Sequence, residues 1–252
     1  MTSNPAMTPQ QERFTDVKRG GLTIYKELAV GKASIFHFLG YELSQLFLSN
    51  LPGIIGFGSR SIVYRALFCK CGARPAIGRG VMLRVPKQIS LGDGVLVDDY
   101  AALDVRGENS AIDLGNRVSI GRFTTVAAKG GTITLKSGVN IGSYCRIATN
   151  SRVEIGESTL IGAYCYIGPG NHTESGDGRP LIVSDMEIRG GVEIGENAWL
   201  GAGVTVLDGV RIGKRAIIGA HSLVREDVPD DCVAVGTPAK IVKNRSLQSA
   251  VS

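Results

Sequence analysis

An aliphatic residue recurs at every sixth position between residues 188 and 224, and this period constrains the fold more than any other feature of the chain. A helix repeats near 3.6 residues and a strand near 2, so a period of six fits neither element alone. It fits one flat face of a triangular coil, in which three faces make a turn of about 18 residues. The run consists of Ile188, Ile194, Leu200, Val206, Ile212, Ile218 and Val224. The sequence therefore predicts a mainly β fold, a parallel β-solenoid that buries these side chains inside a prism.

The same spacing occurs in sets of three before residue 168, and each set predicts one turn. Successive sets are offset by a few residues, which indicates a bulge at one corner of each turn. Glycine often follows the aliphatic residue, as expected where a corner demands positive φ. About seven to eight turns are expected. The sets are Leu91, Val97 and Leu103; Leu114, Ile120 and Val126; Leu135, Ile141 and Ile147; and Ile155, Ile161 and Ile167, with Ile77 and Leu83 opening the series.

The amino-terminal part of the chain is apolar and basic. Residues 1–90 hold 12 Lys or Arg but 4 Asp or Glu, while the whole chain has a net charge of +5. Pro52 and Gly53 divide the apolar segments into short helices, which are too interrupted to span a membrane. Two interpretations remain open: a helical cap on the end of the solenoid, or a peripheral contact with an anionic membrane. Nucleic acid is disfavoured because aromatic residues are not interleaved with the basic ones.

These features predict three segments. Residues 1–72 form a helical extension, residues 73–245 form the solenoid, and residues 246–252 form a flexible tail. The five cysteines are an odd number without metal-site spacing, and Cys145 and Cys165 occupy matching positions of successive sets. We interpret both as small inward-facing residues rather than disulfide partners. The cysteine pattern therefore predicts a reduced, cytoplasmic protein. Residues 1–16 are polar and lack an apolar core, so no secretory signal is expected.

The repeat is interrupted between Ile167 and Ile188, which lie 21 residues apart. The intervening segment is polar and rich in turn-forming residues, so it is expected to loop out of the coil. It contains His172, whose ordinary pKa near 6.5 suits a proton acceptor, although a surface histidine without a role is the alternative. His221 is expected to face solvent at a corner, and His37 to pack in the apolar extension. Three scattered histidines provide no ligand set, so no metal is expected.

Four motifs together resemble the hexapeptide-repeat acyltransferases, especially the sugar O-acetyltransferases of the maltose, galactoside and polysaccharide-modifying types. The resemblance covers roughly residues 75–245 and implies a left-handed β-helix, a homotrimer with active sites between neighbouring prisms, and acetyl-CoA as acyl donor. The motifs are Asn171-His172, Ala-Trp-Leu-Gly-Ala-Gly-Val-Thr-Val at 198–206, Ile218-Gly219-Ala220, and Gly-Thr-Pro-Ala-Lys at 236–240.

The resemblance also implies roles for individual residues. His172 matches the general base, Asn171 a residue that orients it or the acceptor, and the backbone N–H of Ala202 the oxyanion donor. Many relatives carry Thr-Lys where this chain has Arg225-Glu226, which leaves the phosphate contacts open. Trp199 has packing at a trimer contact as its alternative role. The expected cofactor-binding residues are Trp199, Gly201, Ala202, Gly219, Ala220, Arg225 and Lys240.

The residues leave the acceptor open. An O-acetyltransferase acting on a sugar or glycan hydroxyl in capsule, exopolysaccharide or lipopolysaccharide synthesis is favoured, because the extension resembles that of such enzymes. An N-acyltransferase acting on a nucleotide-linked amino sugar is the alternative, although its usual extra nucleotide-binding or helical domain is not evident. A non-enzymatic scaffold would not need the His172 segment or the terminal motif.

Overall fold

The computed structural model describes residues 20–168 and 187–245, and a parallel β-solenoid makes up most of this part. Three sheets of short strands form the faces of a prism, and the chain visits the first, second and third face in that order in each of seven turns. This confirms the predicted mainly β solenoid and is consistent with a left-handed β-helix.

The strands are numbered in chain order. The first face contains β1 (Lys70–Cys71), β4 (Ile89–Leu91), β7 (Ala111–Leu114), β10 (Thr132–Leu135), β13 (Arg152–Ile155), β16 (Val192–Ile194) and β19 (Arg211–Ile212). The second contains β2 (Ala76–Ile77), β5 (Leu96–Val97), β8 (Ser119–Ile120), β11 (Asn140–Ile141), β14 (Leu160–Ile161), β17 (Trp199–Leu200), β20 (Ile217–Ile218), β22 (Cys232–Gly236) and β23 (Ala239–Asn244), the last pair antiparallel. The third contains β3 (Met82–Arg84), β6 (Ala102–Arg106), β9 (Thr125–Lys129), β12 (Arg146–Thr149), β15 (Tyr166–Ile167), β18 (Thr205–Val206) and β21 (Leu223–Val224).

The six-spaced aliphatic residues form three stacked columns inside the prism. On the second face, for example, Ile141 is in register with Ile120 below and Ile161 above, and all three are buried. Each column buries apolar surface that a single turn would leave exposed, which is why the turns are stable only as a stack. Ile188 is the exception to the prediction, since its side chain is 54% exposed. The first-face strand begins only at Val192, after two glycines with positive φ redirect the backbone.

The corners differ in length. We call the corner between the first and second faces the first corner, that between the second and third faces the second corner, and the return to the first face the third corner. The extra residues that offset the predicted sets lie at the third corner, for example between Arg106 and Ala111. The segment 169–186 also follows the end of the third-face strand β15. The predicted bulge of each turn is therefore located at the third corner.

Three helices precede the solenoid: α1 (Gly21–Val30), α2 (Ile35–Leu48) and α3 (Gly53–Val63). A short 3₁₀ turn follows α3 at Tyr64–Ala66, and another lies between β3 and β4 at Pro86–Gln88. The Ser34 side chain caps α2 by accepting a hydrogen bond from the His37 N–H. The break predicted at Pro52 and Gly53 separates α2 from α3. No helix among residues 20–168 and 187–245 combines the length and apolarity needed to cross a bilayer.

The inner side of the helices covers the first turns of the prism. The Tyr41 hydroxyl donates to the Leu83 carbonyl at 2.8 Å. Arg60 is buried and donates to the carbonyls of Ile77, Leu48 and Leu51 at 2.8–3.0 Å. Hydrogen bonds to a charged donor contribute about 1.5–3 kcal/mol each, so Arg60 ties both helices to β2. These are the contacts expected of a cap on the first turns of the solenoid.

Two of the three buried cysteines lie in consecutive turns and are reduced. Cys145 and Cys165 are both buried and unbridged, as predicted. A hydrogen bond with Cys145, together with burial, raises the pKa of the Cys165 thiol. This thiol therefore stays protonated and packs as a small apolar side chain.

Candidate active site

The second corner brings together four of the predicted site residues in two neighbouring turns. Gly201 and Ala202 follow β17, and Gly219 and Ala220 follow β20 directly above. The Gly201 N–H donates to the Ile218 carbonyl at 2.8 Å, and the His221 N–H donates to the Ala202 carbonyl at 2.8 Å. A Cβ on Gly201 would lie 2.7 Å from the Ala220 amide nitrogen, so only glycine fits this close stacking. The result is a narrow edge of bare backbone.

The backbone N–H of Ala202 has no hydrogen-bond partner among the residues that the structure describes. In two other turns, one at the second corner and one at the first, an aspartate of the next turn caps the amide at the matching position. The Lys214 N–H donates to Asp230 Oδ1 at 2.9 Å, and the Arg79 N–H to Asp99 Oδ1 at 2.7 Å. Above Ala202 the next turn supplies Ala220, which has no side-chain oxygen. The Ala202 amide is therefore a hydrogen-bond donor available to a ligand.

Trp199 lies on the second face, two residues before the bare edge. It is in register with Leu160 below and Ile217 above, and its side chain is 51% exposed. An exposed indole beside open backbone can line a cofactor cleft or pack against another chain. The structure is compatible with both predicted roles of Trp199, cofactor binding and packing at a trimer contact.

The imidazole of His221 leans over Gly203. A Cβ built on Gly203 would lie 2.5 Å from His221 Nδ1. His221 is exposed, as expected. Gly203 follows Ala202 directly, so this ring lies next to the predicted oxyanion donor.

The two predicted phosphate-binding side chains share a carboxylate. Arg225 Nε lies 3.6 Å from Glu226 Oε1, and Lys240 Nζ lies 3.6 Å from Glu226 Oε2. All three side chains are more than half exposed, and such surface pairs contribute about 0–1 kcal/mol. A phosphate can therefore displace Glu226 at little cost. The sequence reasoning noted Glu226 only as a departure from the family pattern and missed its contact with Lys240.

Asn171 and His172 lie outside the described residues, so their predicted roles stay predictions. The first described range ends at Gly168, after β15, and the second begins at Glu187. Among residues 20–168 and 187–245 there is no group of three or more His, Cys, Asp or Glu side chains that could hold a metal ion.

Comparisons with known proteins agree with the six-residue repeat and with an acyltransferase. The family described as bacterial transferase hexapeptide (six repeats) matches residues 191–226. A protein of Mycobacterium tuberculosis named as a probable acetyltransferase is 38% identical over 141 residues, which is 56% of this chain and 46% of that protein. WbbJ of Escherichia coli, whose name assigns it to O-acetyl transfer in lipopolysaccharide biosynthesis, is 36% identical over 144 residues, which is 54% of this chain and 69% of WbbJ.

A solved structure has the same fold. The polySia specific acetyltransferase NeuO superposes with a TM-score of 0.52 at 23% identity, covering 69% of this chain and 81% of NeuO. The matched part of this chain spans about half of the Mycobacterium tuberculosis relative and about two thirds of WbbJ.

Proposed function

Because this chain belongs to the hexapeptide-repeat acyltransferase family, we propose that it transfers an acetyl group from acetyl-CoA to a hydroxyl group of a sugar or glycan. The similarity to WbbJ carries this proposal, since it extends over 144 residues and WbbJ is named for O-acetyl transfer. It favours oxygen over nitrogen as the acceptor atom. Capsule, exopolysaccharide or lipopolysaccharide synthesis is the proposed setting.

In the proposed reaction the acceptor hydroxyl attacks the thioester directly. His172 takes the hydroxyl proton as the new C–O bond forms to the carbonyl carbon, and Asn171 orients the imidazole or the acceptor. The negative charge that develops on the carbonyl oxygen receives a hydrogen bond from the Ala202 N–H. The intermediate then breaks its C–S bond, and the departing CoA thiolate takes the proton from His172. No covalent acyl-enzyme is formed.

We propose that acetyl-CoA lies along the second corner. The bare backbone at Gly201, Gly219 and Ala220 admits an extended pantetheine arm, and the exposed indole of Trp199 flanks it. Arg225 and Lys240 are the proposed phosphate contacts, in exchange for their pairing with Glu226. We further propose a homotrimer, as the family resemblance implies, with His172 of one chain facing Ala202 of its neighbour.

The experiment that tests this function compares the wild-type protein with His172→Ala. We expect His172→Ala to bind acetyl-CoA with unchanged affinity in calorimetric titration, because the histidine acts on the acceptor. We expect acetyl transfer to sugar acceptors to fall by about 10²–10⁴, the usual contribution of a general base. Equal transfer by the two proteins would exclude His172 as the base, and failure of the wild type to bind acetyl-CoA would refute the function.

A second proposal concerns the outer side of the helices, which we infer contacts the cytoplasmic face of an anionic membrane. Large apolar side chains are exposed along α2 and α3, including Phe36 (82%), Leu46 (74%) and Ile54 (86%). Their positions on α2 fall on one helical stripe: Ile35, Phe36, Leu39, Leu43, Leu46 and Phe47. No Asp or Glu occurs between Glu42 and Asp93, whereas Arg65 and Lys70 are exposed in this stretch. An exposed apolar stripe, followed in the chain by a stretch with basic and without acidic residues, suits anionic lipid.

A further inference from the structure

Four aromatic side chains stack along the second corner, below the proposed transfer site. The ring centroids of Tyr100 and Phe123 are 5.3 Å apart, those of Phe123 and Tyr144 5.0 Å, and those of Tyr144 and Tyr164 5.1 Å. The planes are within 15° of parallel. Arg79 covers the lower end, with its guanidinium carbon 5.3 Å from the Tyr100 centroid. We call Tyr100, Phe123, Tyr144 and Tyr164 the aromatic ladder.

The ladder is more exposed toward the transfer site. The exposed fraction rises from 40% at Tyr100 through 46% and 50% to 64% at Tyr164. Every ladder residue has a φ of 57–61°, and the next position of this column is Gly203, with a φ of 70°. Since aromatic residues adopt nearly this φ in the turns below, the backbone does not by itself require glycine at 203. Gly203 has no side chain, and the exposed imidazole of His221 leans over it from the turn above. We call the position between Tyr164 and this imidazole the open step.

A row of free donors runs beside the ladder. The amides of Ser143, Ala163 and Ala202 immediately precede Tyr144, Tyr164 and Gly203. None of these three N–H groups donates to an atom of the described residues. The cause is in the sequence, because the residue above each of them in this column is an alanine, which cannot cap an amide. The edge therefore combines aromatic rings with unpaired amide donors over several turns.

The lower end of the ladder adjoins the helical cap. A hollow between α3 and the first two turns is lined by Phe57, Arg60, Gly78, Arg79 and Asp99. Gly78, Arg79 and Asp99 belong to the second corner, directly below and beside Tyr100. At roughly 4.8 Å per turn, the ladder extends about 15 Å from this hollow toward Ala202.

We propose that the ladder is a binding track for an oligosaccharide, and that the open step at Gly203 receives the sugar that is acylated. This inference rests on the proposed function and specifies its acceptor as an extended glycan rather than a single sugar. Sugar rings present C–H groups that pack against the exposed parts of the stacked aromatic rings, and their oxygens accept hydrogen bonds from the Ser143 and Ala163 amides, while the Ala202 amide faces the acyl group. A purely apolar partner would leave the Ser143 and Ala163 amides desolvated and unpaired, at a cost of about 1–3 kcal/mol each.

The test is retention of the intact protein on an array of purified oligosaccharides from bacterial capsules, exopolysaccharides and lipopolysaccharides, with the matching monosaccharides on the same array. We expect the wild type to prefer an oligosaccharide over its monosaccharide. Tyr100→Ser and Tyr144→Ser should each weaken retention at least about tenfold, or about 1.4 kcal/mol. Serine tolerates the backbone conformation, since Ser158 has a φ of 56°.

The matched control is Leu96→Ser. Leu96 lies in the same turn as Tyr100 and is 39% exposed, compared with 40% for Tyr100, but it lies on the second face away from the corner. We expect it to leave glycan retention unchanged. Equal effects of Leu96→Ser and Tyr100→Ser, or no oligosaccharide preference in the wild type, would overturn the proposal.

Two measurements on the same samples separate the possible failures. Acetyl-CoA titration tests the proposed function independently, so cofactor binding without glycan preference would refute the track alone. Light scattering reports the mass of the assembly. If Tyr144→Ser dissociates it while Leu96→Ser does not, the ladder is a subunit contact and the glycan proposal is wrong.

Discussion

At the scale of single residues, the candidate site depends on what is missing from side chains as much as on what is present. The Ala202 N–H is available because Ala220, one turn above, carries no oxygen, whereas Asp99 and Asp230 cap the equivalent amides of Arg79 and Lys214. Gly203, with a φ of 70°, follows Ala202, which puts Ala202 at the second position of a tight turn. Proline favours that position in turns with a positive φ at the next residue.

Ala202→Pro should therefore remove one donor without removing an existing hydrogen bond. We expect kcat for acetyl transfer to fall by about 10²–10³, the usual effect of losing one oxyanion donor, while the thermal midpoint of unfolding stays close to that of the wild type. Glu157→Pro is the control, because it makes the same backbone change at the first corner, before Ser158 with its positive φ. A similar loss of kcat in both variants would indicate a backbone effect and refute the assignment of Ala202.

At the scale of elements, the six-residue period predicted the strands well. In a narrow prism the inward side chains of each face can pack only in one stacked column, so their spacing in the sequence is fixed. The columns through Ile120, Ile141 and Ile161 follow directly from it. The aromatic ladder could also have been predicted from the repeat, since each ladder residue lies three positions after an aliphatic residue of the second face. The prediction that Ile188 is buried was wrong, because the six-residue period applies to the faces of the prism and Ile188 precedes the strand, in the long third corner. The division into short helices was predicted from the helix-breaking residues Pro52 and Gly53. The contacts of the helices with the prism depend on Arg60 and Tyr41, which no local sequence pattern identifies.

The outer stripe of α2 and α3 leads to a prediction about lipid binding. We expect the wild-type protein to sediment with phosphatidylcholine vesicles that contain phosphatidylglycerol, and less with phosphatidylcholine alone. Phe36→Ser combined with Leu46→Ser and Ile54→Ser should weaken this binding at least about tenfold, because burial of each large apolar side chain contributes about 1.5–3 kcal/mol. All three side chains are at least 74% exposed, so the fold should be retained.

The matched control for the helices lies at the other end of the second face. Ile241 and Val242 of β23 are 50% and 61% exposed, and β23 is the last strand of the sheet whose first strand is β2. Ile241→Ser with Val242→Ser should leave vesicle binding unchanged. If the wild type does not bind anionic vesicles, the membrane proposal is wrong.

At the scale of the whole molecule, the predicted site residues come from different parts of the repeat. Ala202 lies at the second corner, whereas the segment that carries His172 follows β15 at the start of the third corner. The sequence motifs predict both residues but do not say whether one chain or two supply them, because a repeat determines stacking within a chain and not packing between chains. In a cyclic trimer each subunit presents one corner to the next, which allows a site shared between neighbours.

A mixed assembly distinguishes a shared site from one within a single chain. His172→Ala and Ala202→Pro chains are each expected to be nearly inactive alone. If His172 of one chain faces Ala202 of the next, random assembly of equal amounts gives each site about a one-in-four chance of combining an intact His172 with an intact Ala202. Refolding or co-expressing the two chains together should then restore about a quarter of the wild-type rate. Activity that stays at background, in assemblies shown by mass to contain both chains, would mean that each site is built from one chain, and a shared site would be excluded.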